Sequence, residues 1–182
     1  MPNGFNERKA AQVATFFALK QGGSINIVKL IKLVYLGDRE FLKRYDAPIL
    51  HDRLVSMQKG PVNSNTYNFA SGQVRADVWD TYLSDEANHM ISCGKITLNE
   101  LNELSRAEIR VLEQVWNDFG HMNPWELVDY THDNCEEWED PDGSSKTIPY
   151  ERVLKVLGKG AASREIAERI EAERVAIKQM EG

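Results

Sequence analysis

One helix constrains the fold of this chain more than any other feature. From Ile27 to about Tyr45, the residues Ile27, Leu30, Ile31, Val34, Phe41 and Tyr45 recur along one face, and Leu33 and Leu36 add a second apolar face. A helix that is apolar most of the way round belongs at the centre of a domain. Gly37 and Asp38 lie on the same buried line. Gly37 suits close approach by another element. Asp38 must be paired or hydrogen-bonded, because burying a carboxylate alone is costly. Arg53 is the cation expected to pair with it and tie this helix to the first strand.

The other elements are expected to pack around that helix. The fold class is mainly α (α+β): a single helical domain around a central buried helix, with a small antiparallel sheet. Asn6 caps a first helix carrying Ala10, Val13, Ala14 and Phe17, which Gly22 and Gly23 end. Ser24 or Asn26 caps the central helix. Arg53–Gln58 has the alternation of a strand, and Pro61, which lacks a backbone donor, is expected to end it. A short helix over Val62–Ala70, capped by Asn63 or Ser64, follows. Val78–Leu83 and His89–Cys93 suggest two further strands around a Ser84–Asn88 turn, making one three-stranded sheet with Arg53–Gln58.

The second half is helical. Ser105 and Glu108 form a capping box, with Ile109, Leu112, Val115, Trp116 and Phe119 as the buried stripe behind it. Asn123 precedes Pro124, a favoured first helical residue, and that helix is expected to reach about Thr131. Pro141-Asp142-Gly143 signals a turn. Tyr150, Val153, Leu154 and Leu157 mark a helix ending at Gly158. Ser163–Met180 is highly charged, with only Ile166, Ile170, Val175 and Ile177 as an apolar stripe. The expected division is residues 1–160 as the domain and 161–182 as a charged C-terminal helix.

Charge and cysteine usage narrow the function. The net charge is −6 and the pI about 5.3. Such a balance argues against nucleic-acid binding, which needs clustered Lys and Arg. Cys93 and Cys135 form no CxxC pair and no disulfide framework, which suits a reducing cytoplasm. The first residues carry no apolar signal core, and no apolar run approaches the roughly 20 residues of a membrane span, so no membrane association is expected.

No catalytic set converges. Thr131-His132-Asp133 with Cys135 offers ligand-type residues, but His51, His89 and His121 add no zinc spacing, and no metal or cofactor is expected. His132 is better explained as a cap or buttress of its helix end. Asp38-Arg39-Glu40 and Asp52-Arg53 suit internal ion pairs better than acid–base work. Lys59-Gly60-Pro61 lacks phosphate-loop spacing. Exposed aromatics are common interface anchors. Trp79, Trp125 and Trp138 are the freer tryptophans, whereas Trp116 belongs to a helix stripe.

The run KLVYLGDREFLKRYDAPILHDRLVSMQKGPVNSNTYNF, from Lys32 to Phe69, resembles the signature of the SocA-like Panacea antitoxin family. The matching residues are Lys32-Leu33, Tyr35, Asp38-Arg39-Glu40, Arg44-Tyr45, Pro48-Ile49, Asp52-Arg53, Met57, Gly60-Pro61-Val62, Ser64 and Tyr67. A second block adds Leu104-Ser105, Glu108, Glu126-Leu127, Thr131-His132, Glu137-Trp138 and Pro141. The resemblance spans roughly residues 8 to 158. His51 departs from it where a small residue, often glycine, is expected.

The resemblance implies an antitoxin that neutralises a cognate protein toxin, usually encoded beside it, by direct binding. One branch of the family instead delivers its toxin to a protease. The domain is not known as an enzyme. Candidate contact residues are Lys59, Asn63, Asn65, Tyr67, Trp79 and Trp125, with the terminal helix as a further contact. Lys32, Tyr35, Asp38, Arg39, Asp52, Arg53, Gly60, Pro61, Val62, Thr131, His132 and Trp138 are expected to be structural. The sequence leaves self-association open.

Overall fold

A computed structural model describes residues 5–74 and 77–180. Helix α1 (Glu7–Lys20) leads into a short strand β1 (Ser24–Asn26) and the central helix α2 (Ile27–Tyr45). The hairpin β2 (Leu54–Met57) and β3 (Gly60–Asn63) comes next, then α3 (Ser64–Ala70). Strands β4 (Leu83–Glu86) and β5 (Met90–Cys93) precede helices α4 (Arg106–Phe119) and α5 (Pro124–Asn134). Strand β6 (Lys146–Thr147), α6 (Tyr150–Val156) and α7 (Ser163–Met180) complete the chain.

Helix α2 holds the expected central place, packed against α1, α4, α5 and β3. Leu30, Leu33, Val34 and Tyr35 are all buried, on more than one of its faces. Gly37 lets α4 come close: a Cβ there would lie 2.8 Å from Leu112 Cδ2. Asn26 starts the helix by accepting the backbone N–H of Val28 at 2.9 Å, while Ser24 lies in β1. Asn6, Ser105 and Asn123 cap α1, α4 and α5 as their side chains suggest.

The strands differ from expectation. Two three-stranded antiparallel sheets form, ordered β1-β5-β4 and β3-β2-β6, in place of one. Trp79–Thr81 is a 3₁₀ turn, so the strand expected at Val78 begins only at Leu83. Ser84–Glu86 extend that strand, and the turn shrinks to the residues around Asn88 and His89, both left-handed. Pro61 does not end the sheet. It sits in β3, opposite Ser56, on an edge strand, where a missing donor costs no ladder bond. The helix expected from Val62 accordingly begins two residues later, at Ser64.

Helix α7 docks along one side of the domain. Ile166 and Ile170 are buried, and the Arg174 guanidinium donates to the His51 carbonyl at 3.0 Å. Its far end is free of the core, with Val175 and Met180 exposed. No helix among the described residues is long and apolar enough to cross a membrane.

Candidate functional site: a groove over a buried polar scaffold

The site grows from three buried carboxylates. Asp38 accepts the backbone N–H groups of Ile49 and Leu50 and the side-chain amide of Asn63, the last at 2.8 Å. The expected pair with Arg53 does not form: Arg53 is exposed and donates to Thr147 Oγ1. Backbone and amide donors satisfy this carboxylate in place of a cation, since they are delivered without desolvating a second charge. Burial pushes the Asp38 carboxyl up, against the pull of those donors.

Asp52 follows the same rule. Its oxygens accept the backbone N–H groups of Arg53, Asn65 and Thr66 and the Thr66 hydroxyl. Burial raises its pKa to about 6, and these donors hold it down. Asp52 therefore clamps the start of α3 to the entry of β2. The Tyr150 hydroxyl donates to the Asp52 carbonyl at 2.8 Å and brings α6 to the same point.

Glu137 is the third, fully buried. It accepts the Arg39 guanidinium in a two-pronged pair at 2.6 and 3.1 Å and the Tyr35 hydroxyl at 2.7 Å. Burial opposes the Arg39 charge, but the bonds and charge of Glu137 outweigh it and raise the guanidinium pKa. Burial, together with Glu137, holds the Tyr35 hydroxyl protonated well above its ordinary range.

Beside this scaffold, the β2–β3 hairpin crosses α2 and α5. Gly60 has φ +100, and a Cβ there would lie 2.7 Å from Thr131 Oγ1 and 3.1 Å from Lys32 Nζ. Both the left-handed backbone and the crowding demand glycine. Lys32 is fully buried and donates to the Pro61 carbonyl at 2.9 Å. Burial lowers its pKa to about 7. Trp138 donates to the Met57 carbonyl at 2.8 Å and packs against His132, with ring centroids 4.3 Å apart. His132 thus buttresses the hairpin through Trp138. His51, where the family pattern favours a small residue, has φ 49, a conformation glycine adopts without penalty.

Above Lys32 lies a groove of about 700 Å³. The first turns of α2, the hairpin tip, α3 and the start of α5 enclose it, through Ile27, Ile31, Lys32, Met57, Lys59, Tyr67 and Trp125. The structure brings three of the candidate contact residues, Lys59, Tyr67 and Trp125, to this groove. Lys59 Nζ lies 5.0 Å from the Trp125 ring centroid, and Trp125 is 59% exposed.

The other candidates fall elsewhere. Asn63 and Trp79 are buried and offer no surface. Asn63 is bound to Asp38, and Trp79 stacks on Phe69 while its backbone N–H is held by Glu7. Asn65 is half-buried, outside the groove lining, with its backbone N–H on Asp52. Sequence reasoning missed Ile27 and Ile31 as groove walls. Their helical spacing marks them only as apolar, and the groove exists because the hairpin, α3 and the start of α5 fold around the first turns of α2.

Asp38, Glu40 and His132 share no partner. Asp38 faces backbone donors, Glu40 pairs with Arg44, and His132 lies on Trp138. No group of three or more His, Cys, Asp or Glu suited to hold a metal occurs among the described residues.

Several motif residues, Tyr35, Asp38, Asp52, Thr131 and Glu137, are buried in internal bonds, whereas Lys32, Met57, Val62 and Tyr67 line the groove beside them. A family-wide sequence profile, that of the antitoxin SocA-like, Panacea domain, matches residues 30–139. That is more than half of the chain, which belongs to this family. No curated protein and no solved structure matches it.

Proposed function

We propose that this protein is an antitoxin that neutralises a cognate protein toxin by binding it directly in the cytoplasm, with the groove around Lys59, Tyr67 and Trp125 as the contact surface. Family membership supports the class of function. The observation that carries the choice of surface is Trp125, a large aromatic left more than half exposed beside an apolar groove. Aromatics in such positions are typical binding anchors. Lys32, Asp38, Asp52, Thr131 and Glu137 of the family pattern are buried in internal bonds, which suits a frame that presents a surface. The two cysteines are free, in keeping with a reducing compartment.

Co-expression with the product of the adjacent gene tests this reading. The expected result is that the neighbour alone arrests growth, that this protein restores it, and that the two purify as a complex which Trp125→Ala weakens. Restored growth with a shortened toxin half-life and no complex would replace occlusion by delivery to a protease. A harmless neighbour and no complex would overturn the antitoxin reading.

A further inference from the structure

The chemistry of the groove is one-sided. Its walls are mainly apolar, from Ile27, Ile31, Met57, Val62, Tyr67 and Trp125, with Asn26, Gln58, Ser71 and Ser144 as uncharged polar lining. Its ionisable nitrogen-bearing residues are Lys32, Lys59 and His89, and among the described residues no Asp or Glu lines it. The chain as a whole has a net charge of −6, so this bias runs against its composition. Lys32 lies at the base of the groove, fully buried, with its Nζ donating to the Pro61 carbonyl. Lys59 lies over Trp125 at the rim, within cation–π distance. Trp125 stands out from the surface, so an occupant must extend beyond the groove to cover it.

We infer that the groove receives an extended segment of the partner protein in which an apolar side chain stands beside a carboxylate. The inference rests on the antitoxin reading above. The apolar side chain fills the space between Ile31 and Met57. The carboxylate meets Lys59, and a continuing aromatic or aliphatic residue covers Trp125. Charge complementarity selects this occupant over a basic or purely apolar segment, because neither of those offers a counter-charge to the exposed ammonium of Lys59 at the rim.

The test selects peptides from a random 12-residue display library on the immobilised full-length chain. Binding of the selected peptides is then measured by fluorescence anisotropy to wild type, Trp125→Ala and Lys59→Glu. Both substitutions alter exposed side chains, and circular dichroism confirms that the fold is retained. The expected consensus places Asp or Glu within two residues of an aromatic or aliphatic residue. Each substitution, and replacement of the peptide carboxylate by its amide, is expected to weaken binding at least tenfold. A basic or uncharged consensus, or binding that ignores both substitutions, overturns the inference.

The same variants are then tested for complex formation with the adjacent gene product. Toxin binding that falls with Trp125→Ala and Lys59→Glu supports the inference. Toxin binding that both variants retain overturns it and leaves the antitoxin reading standing. An acidic-apolar consensus with no toxin rescue by wild type supports the groove chemistry while the antitoxin reading fails.

Discussion

The side-chain amide of Asn63 donates to the Asp38 carboxylate at 2.8 Å, with both residues buried. This bond ties the last residue of β3 to the middle of the central helix. The same bond fixes the orientation of the Asn63 amide, whose oxygen accepts no backbone N–H at the start of α3. Asn63→Ala removes a donor and leaves a buried carboxylate oxygen short of a partner, a loss of about 1–3 kcal/mol. Urea denaturation measures it. Asp38→Asn is expected to lower the melting temperature as well, because its amide group offers one acceptor oxygen where the carboxylate offers two. An Asp38→Asn protein of wild-type stability would show that this carboxylate has another role.

Gly60 cannot be replaced by alanine without cost. The φ of +100 is strained for an L side chain, and the new Cβ would meet the Thr131 hydroxyl at 2.7 Å. Strain and overpacking together predict a loss of about 2–4 kcal/mol. Gly60→Ala combined with Thr131→Ser keeps the crowding oxygen, so it should recover little. A melting temperature within a degree or two of wild type would contradict the close approach.

Glu137 holds one charge and one hydroxyl in a fully buried place. Glu137→Gln removes the counter-charge of Arg39, whose side chain is itself mostly covered. Breaking a buried pair from one side costs about 3–5 kcal/mol. Tyr35→Phe takes away only a hydroxyl and should cost about 1–2 kcal/mol. The ranking, read from denaturant midpoints, checks that charge compensation dominates this cluster.

Lys32 makes stability depend on pH in a defined direction. Its pKa is about 7 in the folded chain, against 10.5 for a lysine in water. Between these values the unfolded chain holds a proton that the folded chain lacks, so stability from this group rises with pH. Below about 7 both states are protonated and the whole penalty of burying the charge is present. Lys32→Met is expected to flatten the rise between about pH 7 and 8.5, below the range where the raised thiol pKa of Cys135 opposes it. Denaturation midpoints that climb equally in both proteins would remove Lys32 from the account.

The end of α7 contributes little to the fold. Val175 and Met180 are exposed, whereas Ile166 and Ile170 are buried. Truncation after Glu173 should shift the melting temperature by only the loss of the Arg174 bond to the His51 carbonyl, about 1 kcal/mol. Truncation after Ala162 removes the two buried isoleucines and should cost several kcal/mol, at about 1.5–3 kcal/mol for each buried aliphatic side chain. Thermal melts of the two truncations decide the point.

The central helix, its extent and its caps were legible from the sequence, because helical periodicity and Asn or Ser capping are local signals. So was the family, from motif residues spread through the hairpin and α5. The sheets were not. A strand's partner is chosen by residues far along the chain, and four-residue strands carry too little pattern to name it. Pro61 shows this: its missing donor signals an end, but the tertiary structure puts it on an edge where no donor is needed.

Buried polar chemistry divides along the same line. Sequence determined that Asp38 needs a partner, since a carboxylate on an apolar helix line cannot stay unsatisfied. Only the tertiary structure decided which partner, and it used Asn63 and two backbone amides, with Arg53 left outside. The groove is likewise a tertiary product. Lys59, Tyr67 and Trp125 lie on three separate elements, and no short-range pattern reports that folding brings them together. Local propensities act over a few residues; the surface that a partner would meet is set by how the hairpin, α2 and α5 pack on one another.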